Sequence, residues 1–97
     1  MNIGKEIFLD KKILIYGLGK SGLSAFKFLK NKSDVFLYDD FNLSKKDLKI
    51  KKNLTKYKKV LKTKFDKIIL SPGIDINSCK LSKYLKKNLQ KIYSDLD

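Results

Sequence analysis

Two patterns of apolar residues alternate along this chain. Residues 12–16 (KILIY), 34–38 (DVFLY) and 67–70 (KIIL) are short, nearly continuous apolar runs, as expected of strands buried on both faces of a sheet. Between the first two, Gly22, Ala25, Phe26 and Leu29 recur at helical spacing, while Lys20, Ser24, Lys27 and Asn31 fall on the opposite face. A helix therefore joins the first strand to the second. A strand, helix and strand within so few residues make a βαβ unit with parallel strands and a right-handed crossover.

The remainder reads in the same way. Ser44 with Asp47 is placed to cap a short helix, and Ile50 to Leu54 is a candidate brief third strand. Thr55 is the candidate cap of a helix in which Tyr57, Val60 and Leu61 share a face. After the third long apolar run, Ser71-Pro72-Gly73 is a turn that cannot continue a strand ladder. Asn77 or Ser78 is then expected to cap a last helix with Leu81, Tyr84 and Leu85 inward, followed by a final strand at Lys91 to Tyr93. The sum is an α/β, Rossmann-like three-layer sandwich around a mostly parallel sheet of about five strands.

Composition narrows the classes. A chain of 97 residues supports one domain with one core, spanning 1–97, and leaves no room for a separate catalytic domain beside it. No apolar run approaches the roughly 18 residues of a membrane span, and residues 1–10 lack the features of a secretory signal, so a cytoplasmic protein with no membrane partner is expected. Cys79 is the lone cysteine and there is no His, which excludes an intrachain disulfide and the usual zinc constellations; a buried structural thiol is expected at Cys79. The net charge of +13 comes entirely from Lys on the basic side. Lysines scattered along the whole chain, without the forked donors of Arg, argue for a solvated surface over a nucleic-acid interface, although the field still favours anionic ligands.

The candidate chemistry lies at residues 13–30, ILIYGLGKSGLSAFKFLK. Its Gly-Lys-Ser invites comparison with an ATP-binding P-loop, but the position where that loop needs its first Gly is Leu14, inside the strand. Gly17-Leu18-Gly19-Lys20-Ser21-Gly22 instead fits Gly-x-Gly-x-x-Gly in its proper context of strand, turn and helix. Gly17 permits the tight turn, Gly19 lets a phosphate approach the backbone, and Gly22 lets the helix pack close to the strand. The helix N-terminus contributes free amides and a partial positive charge. An acid is expected about 20 positions on, beside a ribose or base, and Asp39 and Asp40 stand there. These features indicate a nucleotide-type ligand without choosing among nucleotides, and an NAD(P)-binding regulatory or redox module satisfies them too.

The stretches YGLGKSGLSAFKFL, FDKIILSPGI and IYSDLD together resemble the N-terminal domain of the UDP-N-acetylmuramoyl-L-alanine:D-glutamate ligase (MurD) family of peptidoglycan synthesis. The resemblance covers nearly the whole chain, and its most specific parts are residues 17–24 and Ser71 to Ile74. It implies a domain that holds the UDP end of UDP-N-acetylmuramoyl-L-alanine, in a monomer. ATP and magnesium would belong to a central domain of the parent enzyme, with no cofactor, metal ligand or catalytic residue in this chain. Carried over by position, Gly17, Gly19, Lys20, Ser21 and Gly22 form the diphosphate loop. Asp39 and Asp40 stand where the family meets the uracil, and Ser71, Pro72 and Gly73 match the loop that lines the site after the strand at Lys67 to Leu70. Family members commonly place Thr and Arg after the first acid, where this chain has Asp40 and Phe41. The final SDLD matches the segment before the family's central domain, so the chain is expected to stop at a domain boundary, and the isolated chain is expected to have no turnover.

Overall fold

The computed structural model describes residues 8–40 and 52–94. Four strands, β1 (Lys12–Tyr16), β2 (Asp34–Tyr38), β3 (Lys67–Leu70) and β4 (Ile92–Tyr93), form one parallel sheet in the order β2-β1-β3-β4. Helix α1 (Lys20–Leu29) joins β1 to β2, α2 (Tyr57–Lys62) precedes β3, and α3 (Ser82–Lys86) lies between β3 and β4. The Rossmann-like α/β architecture is as read from the sequence, with four strands among the described residues where about five were expected.

The difference in strand number arises near residue 54. Leu54 forms a single parallel bridge to Leu37 of β2, where the Leu37 amide donates to the Asn53 carbonyl (2.9 Å) and the Thr55 amide to the Leu37 carbonyl (2.8 Å). The Asn53 side-chain amide adds a bond to the Val35 carbonyl at 2.9 Å. This segment seals the outer edge of β2 without becoming a strand. The rest of the expected third strand, and the helix expected near Ser44 and Asp47, lie outside the described residues.

Alternation along β1 builds the three layers. Ile13 and Ile15 face α1 and join Ala25, Phe26, Leu29, Val35 and Leu37, whereas Leu14 and Tyr16 face the other way into Val60, Phe65, Ile68, Leu81 and Leu85. All four of these β1 side chains are fully buried. A central strand covered on both faces explains why the sequence shows a continuous apolar run instead of a polar–apolar alternation. Asp66 fixes the start of the β1–β3 pairing, its carboxylate accepting the Lys12 amide at 2.9 Å while its own amide donates to the Lys12 carbonyl at 2.8 Å.

The smaller helices depart from the expectations about their ends. Thr55 does not cap α2: its amide is spent on β2 and its hydroxyl on the Asn53 carbonyl (3.2 Å), so the N-cap position falls one residue later, on Lys56, without a side-chain cap. Of the apolar trio on α2, Val60 is buried, but Tyr57 and Leu61 are 41% and 44% exposed. Neither Asn77 nor Ser78 caps α3. Asp75 takes the Asn77 amide at 2.9 Å and the chain turns again before helix α3 starts after Leu81. Leu81 and Leu85 are buried as expected, while Tyr84 is only partly so, its hydroxyl donating to the Thr63 carbonyl at 3.0 Å. Cys79 also departs: it is half-buried, because it sits on this turning segment and not within a helix face. Among the described residues no helix is long and apolar enough to cross a membrane.

Candidate functional site

All four strands run parallel, so the carboxyl ends of β1, β2 and β3 emerge at the same edge of the sheet. The chain leaves β1 toward β2 on one side, and β3 lies on the other, which opens a crevice above β1. Here Tyr16, Gly17, Leu18, Gly19, Asp39, Asp40, Ser71 and Ile74 line a cleft of ≈ 150 Å³.

The glycine turn forms its floor. Gly17 has φ +99°, which an L side chain rarely adopts, and a Cβ there would lie 2.7 Å from Ser71 Oγ and 2.7 Å from Ile74 Cδ1. Its amide donates to the Tyr38 carbonyl (2.8 Å), and its carbonyl accepts from Ser71 Oγ (3.1 Å). The turn is therefore tied to β2 on one flank and to the loop after β3 on the other. Gly22 packs directly beneath it: a Cβ on Gly22 would lie 2.0 Å from the Gly17 carbonyl oxygen. Gly19 is the contrary case, exposed and with no described atom beyond its own chain neighbours within 4 Å of the place a Cβ would occupy. Approach to the backbone is open there.

Helix α1 begins at this opening. Gly19 is its N-cap residue, and the bond from the Leu23 amide to the Gly19 carbonyl (3.0 Å) leaves the amides of Lys20, Ser21 and Gly22 ahead of the helical ladder. No acidic residue stands in the first turn of α1 itself.

The two acids at the end of β2 have separate tasks. Asp39 Oδ2 accepts the Leu18 amide at 2.7 Å, a charge-assisted bond that holds the first turn residue after Gly17. Asp40 Oδ1 accepts from the Tyr16 hydroxyl at 2.8 Å, and its Oδ2 accepts the Lys80 amide at 3.3 Å. Burial pushes the Tyr16 phenol well above the usual tyrosine range, and the hydrogen bond to Asp40 acts in the same direction. Tyr38 is raised as well, first by burial and then by the negative charge of Asp40.

Of the residues singled out from the sequence, Gly17, Gly19, Asp39, Asp40 and Ser71 meet at the cleft. Lys20 and Ser21 stand exposed beside it at the start of α1, Gly22 is buried under the turn, and Pro72 and Gly73 are exposed beyond Ser71. Sequence reasoning missed Tyr16, Leu18 and Ile74. Tyr16 had one signal, a polar-tipped side chain ending an otherwise aliphatic strand, since a buried tyrosine hydroxyl usually has a partner. A wider, open groove of ≈ 580 Å³ at the opposite edge of the sheet is lined by Lys11, Lys12, Lys30 and Lys32 among others. Its backbone groups bond to one another, Asp10 to Lys32 and Asp34 to Lys11 at 2.9 Å each, and its lysines belong to the solvated surface.

The family model described as "Mur ligase MurD-like, N-terminal domain" matches residues 11–92. Proteins named UDP-N-acetylmuramoylalanine--D-glutamate ligase are similar too. That of Rickettsia prowazekii is 39% identical over 72 residues, covering 71% of this chain and 16% of the relative. That of Rickettsia felis is 33% identical over 90 residues, covering 90% and 20%. A third, from a Thermoanaerobacter species, is 38% identical over 77 residues, covering 70% and 17%. The chain thus spans a fifth or less of these relatives' lengths. No solved structure matches. Since the matched span runs from the start of β1 to the start of β4 and includes every residue lining the cleft, the chain belongs to the MurD-like N-terminal domain family of Mur ligases.

Proposed function

We propose that this chain is the substrate-holding N-terminal domain of a cytoplasmic, ATP-dependent ligase that joins D-glutamate to UDP-N-acetylmuramoyl-L-alanine in peptidoglycan precursor synthesis. Its own task is to bind the UDP moiety as a monomer, with no turnover alone. The observation that carries this reading is the convergence of the glycine turn, the β2 acids and Ser71 on one cleft, within the span matched by the family.

The chemistry of the cleft gives the ligand a direction. The diphosphate fits the open side at Gly19 and the amides of Lys20 and Ser21, with the Lys20 ammonium beside them. The hydrogen-bond donors of ribose and uracil fit the Asp39 end, because an ionised carboxylate accepts several hydrogen bonds at once and can hold both the Leu18 amide and a ligand group. Size matters as well. At ≈ 150 Å³ the cleft falls below the roughly 300–1,000 Å³ of sites that enclose a whole small molecule. It grips one part of the nucleotide, and the rest of the site, with ATP and magnesium, falls to other domains of the parent enzyme. Weak, millimolar-range binding by the isolated domain follows.

Titration of the labelled chain with UDP, followed through its amide NMR signals, tests the reading. Shifts should concentrate at residues 17–24 and 39–41 and near Ser71. Absence of shifts there at several millimolar UDP, or strong binding of NADH with none of UDP, would overturn it in favour of a structural turn or an NAD-binding module.

A further inference from the structure

The structure assigns Asp40 a different task from Asp39: we propose that Tyr16, Asp40 and the backbone of Lys80 and Leu81 form a latch that fixes one wall of the cleft. Asp40 is thus a positioning residue and not a ligand contact. For its effect on ligand affinity the proposal rests on the UDP reading above; the latch itself does not.

Three separate parts of the chain meet at one buried hydroxyl. Tyr16 ends the central strand with no exposed surface, its ring 5.5 Å from that of Tyr38. Its hydroxyl donates to Asp40 Oδ1 at 2.8 Å and accepts the Leu81 amide at 3.4 Å. The second Asp40 oxygen accepts the Lys80 amide at 3.3 Å, and the Asp40 carbonyl accepts from Lys80 Nζ at 3.4 Å. Both carboxylate oxygens are therefore engaged within the protein. Asp40 follows β2, whereas Lys80 and Leu81 follow β3, and these strands flank β1 on opposite sides. The latch therefore spans the top of the central strand.

What it restrains reaches the cleft. Between β3 and α3 the chain runs through successive turns, with Ile74, Ser78 and Cys79 amides bonded to carbonyls three or four residues back and Asp75 holding the Asn77 amide. Ile74, at the start of this segment, lines the cleft and presses its Cδ1 against the place a Gly17 Cβ would occupy. Tyr16 and Asp40, which hold the other end of this connection at Lys80 and Leu81, line the cleft as well. Loosening the segment at Lys80 and Leu81 frees the Ile74 wall. The Lys80 ammonium rests on the Asp40 backbone carbonyl at 3.4 Å and so brings a positive charge to this end of the latch.

Tyr16→Phe keeps the buried ring and removes the hydroxyl. In the ligand-free chain, amide hydrogen exchange at Leu81 and Lys80 should accelerate about tenfold relative to Ile13 to Ile15, and Asp40→Ala should do the same. UDP affinity should fall by roughly three- to tenfold in each, and the double variant should be no worse than the weaker single one, the non-additivity expected of residues acting as a unit. Asp40→Asn, which keeps an acceptor for the hydroxyl but turns a donor toward the Lys80 amide, should fall between the parent and Asp40→Ala in both exchange and affinity. Unchanged exchange at Leu81 in both single variants would overturn the latch. So would a loss of UDP binding in Asp40→Ala at least tenfold beyond that in Tyr16→Phe, because it would make Asp40 a direct contact. If the unaltered chain shows no response to UDP, the UDP reading fails and the exchange measurements alone decide the latch. Should Tyr16→Phe not fold, Asp40→Ala at its partly exposed position carries the same exchange test.

Discussion

Gly19 and Gly22 belong to one motif but meet opposite surroundings, and substituting each by Ala separates their roles. At Gly22 the added methyl would lie 2.0 Å from the Gly17 carbonyl oxygen, 3.1 Å from the Gly17 carbonyl carbon and 3.4 Å from Ile15 Cγ2. Two of these are backbone atoms, which no side-chain rotation can move. Reaching an ordinary contact of 3.4 Å requires α1 to lift from the turn by about 1.4 Å, enough to disturb the packing of Ala25, Phe26 and Leu29. Overpacking of this kind costs typically 1–3 kcal/mol, and more where backbone must shift. Against it stands the intrinsic preference of a helix interior for Ala over Gly, about 1 kcal/mol. Because backbone must shift, the packing cost lies at or above the top of that range, and Gly22→Ala is expected to lose about 1–3 kcal/mol after the helix preference is subtracted. For a domain of 97 residues this corresponds to a fall in Tm of about 4–24 °C. At Gly19, φ −75° and ψ −166° suit any residue, and the methyl meets nothing. Gly19→Ala should stay within about 1 kcal/mol of the parent, while UDP affinity drops about tenfold or more because the methyl occupies the phosphate's approach. Thermal and urea denaturation, with a UDP titration of each variant, supply the numbers. A Gly22→Ala chain as stable as the parent would refute the packing argument, and undiminished UDP binding by Gly19→Ala would refute the phosphate position.

Other expectations follow from the same geometry. Because Tyr16, Tyr38 and Tyr84 are raised above their usual value near 10, the folded chain holds protons that the unfolded chain releases. Their contribution is complete below about pH 10 and is lost above it, at about 1.4 kcal/mol per pH unit for each tyrosine still protonated in the fold. Denaturation midpoints followed from pH 8 to 11 should therefore fall more steeply in the parent than in Tyr16→Phe, and parallel profiles would count against a buried phenol. Asp39→Ala leaves the Leu18 amide without its acceptor and should cost about 1–3 kcal/mol, whereas Asp39→Asn, which keeps an acceptor oxygen, should cost less than about 1 kcal/mol in urea titrations. Leu85→Ala should cost about 2–5 kcal/mol and Leu61→Ala under about 1 kcal/mol, since Leu85 is fully buried and Leu61 is 44% exposed; equal losses would contradict the assigned faces.

Much of the fold is legible in local sequence because its strongest elements are built from local patterns. Lys12–Tyr16, Asp34–Tyr38 and Lys67–Leu70 each declare themselves by continuous apolar runs, and α1 by its spacing. The starts of the short helices were not legible, because distant partners settle them. Thr55 looks like a cap until β2 claims its amide, and the start of α3 depends on a hydroxyl 65 residues earlier in the chain. The candidate site shows the same division. The steric roles of Gly17 and Gly22 follow from the motif, since a tight turn and a close helix are what its spacing demands. Asp39 and Asp40 are adjacent and chemically identical, so only the folded chain distinguishes the one that holds the turn from the one that holds Tyr16 and Lys80.

The segment sealing β2 bears on how this protein behaves in a crowded solution. An unpaired strand edge is a template on which a second molecule can add a strand, the first step toward aggregation. Asn53 to Thr55 occupy that edge through backbone bonds to Leu37 and a side-chain bond to Val35. On the opposite side the sheet ends in β4, only two residues long and preceded by Lys91, too short to template a stable pairing. Combined with mutual repulsion between molecules carrying +13, this should keep the domain dispersed at high concentration at low salt.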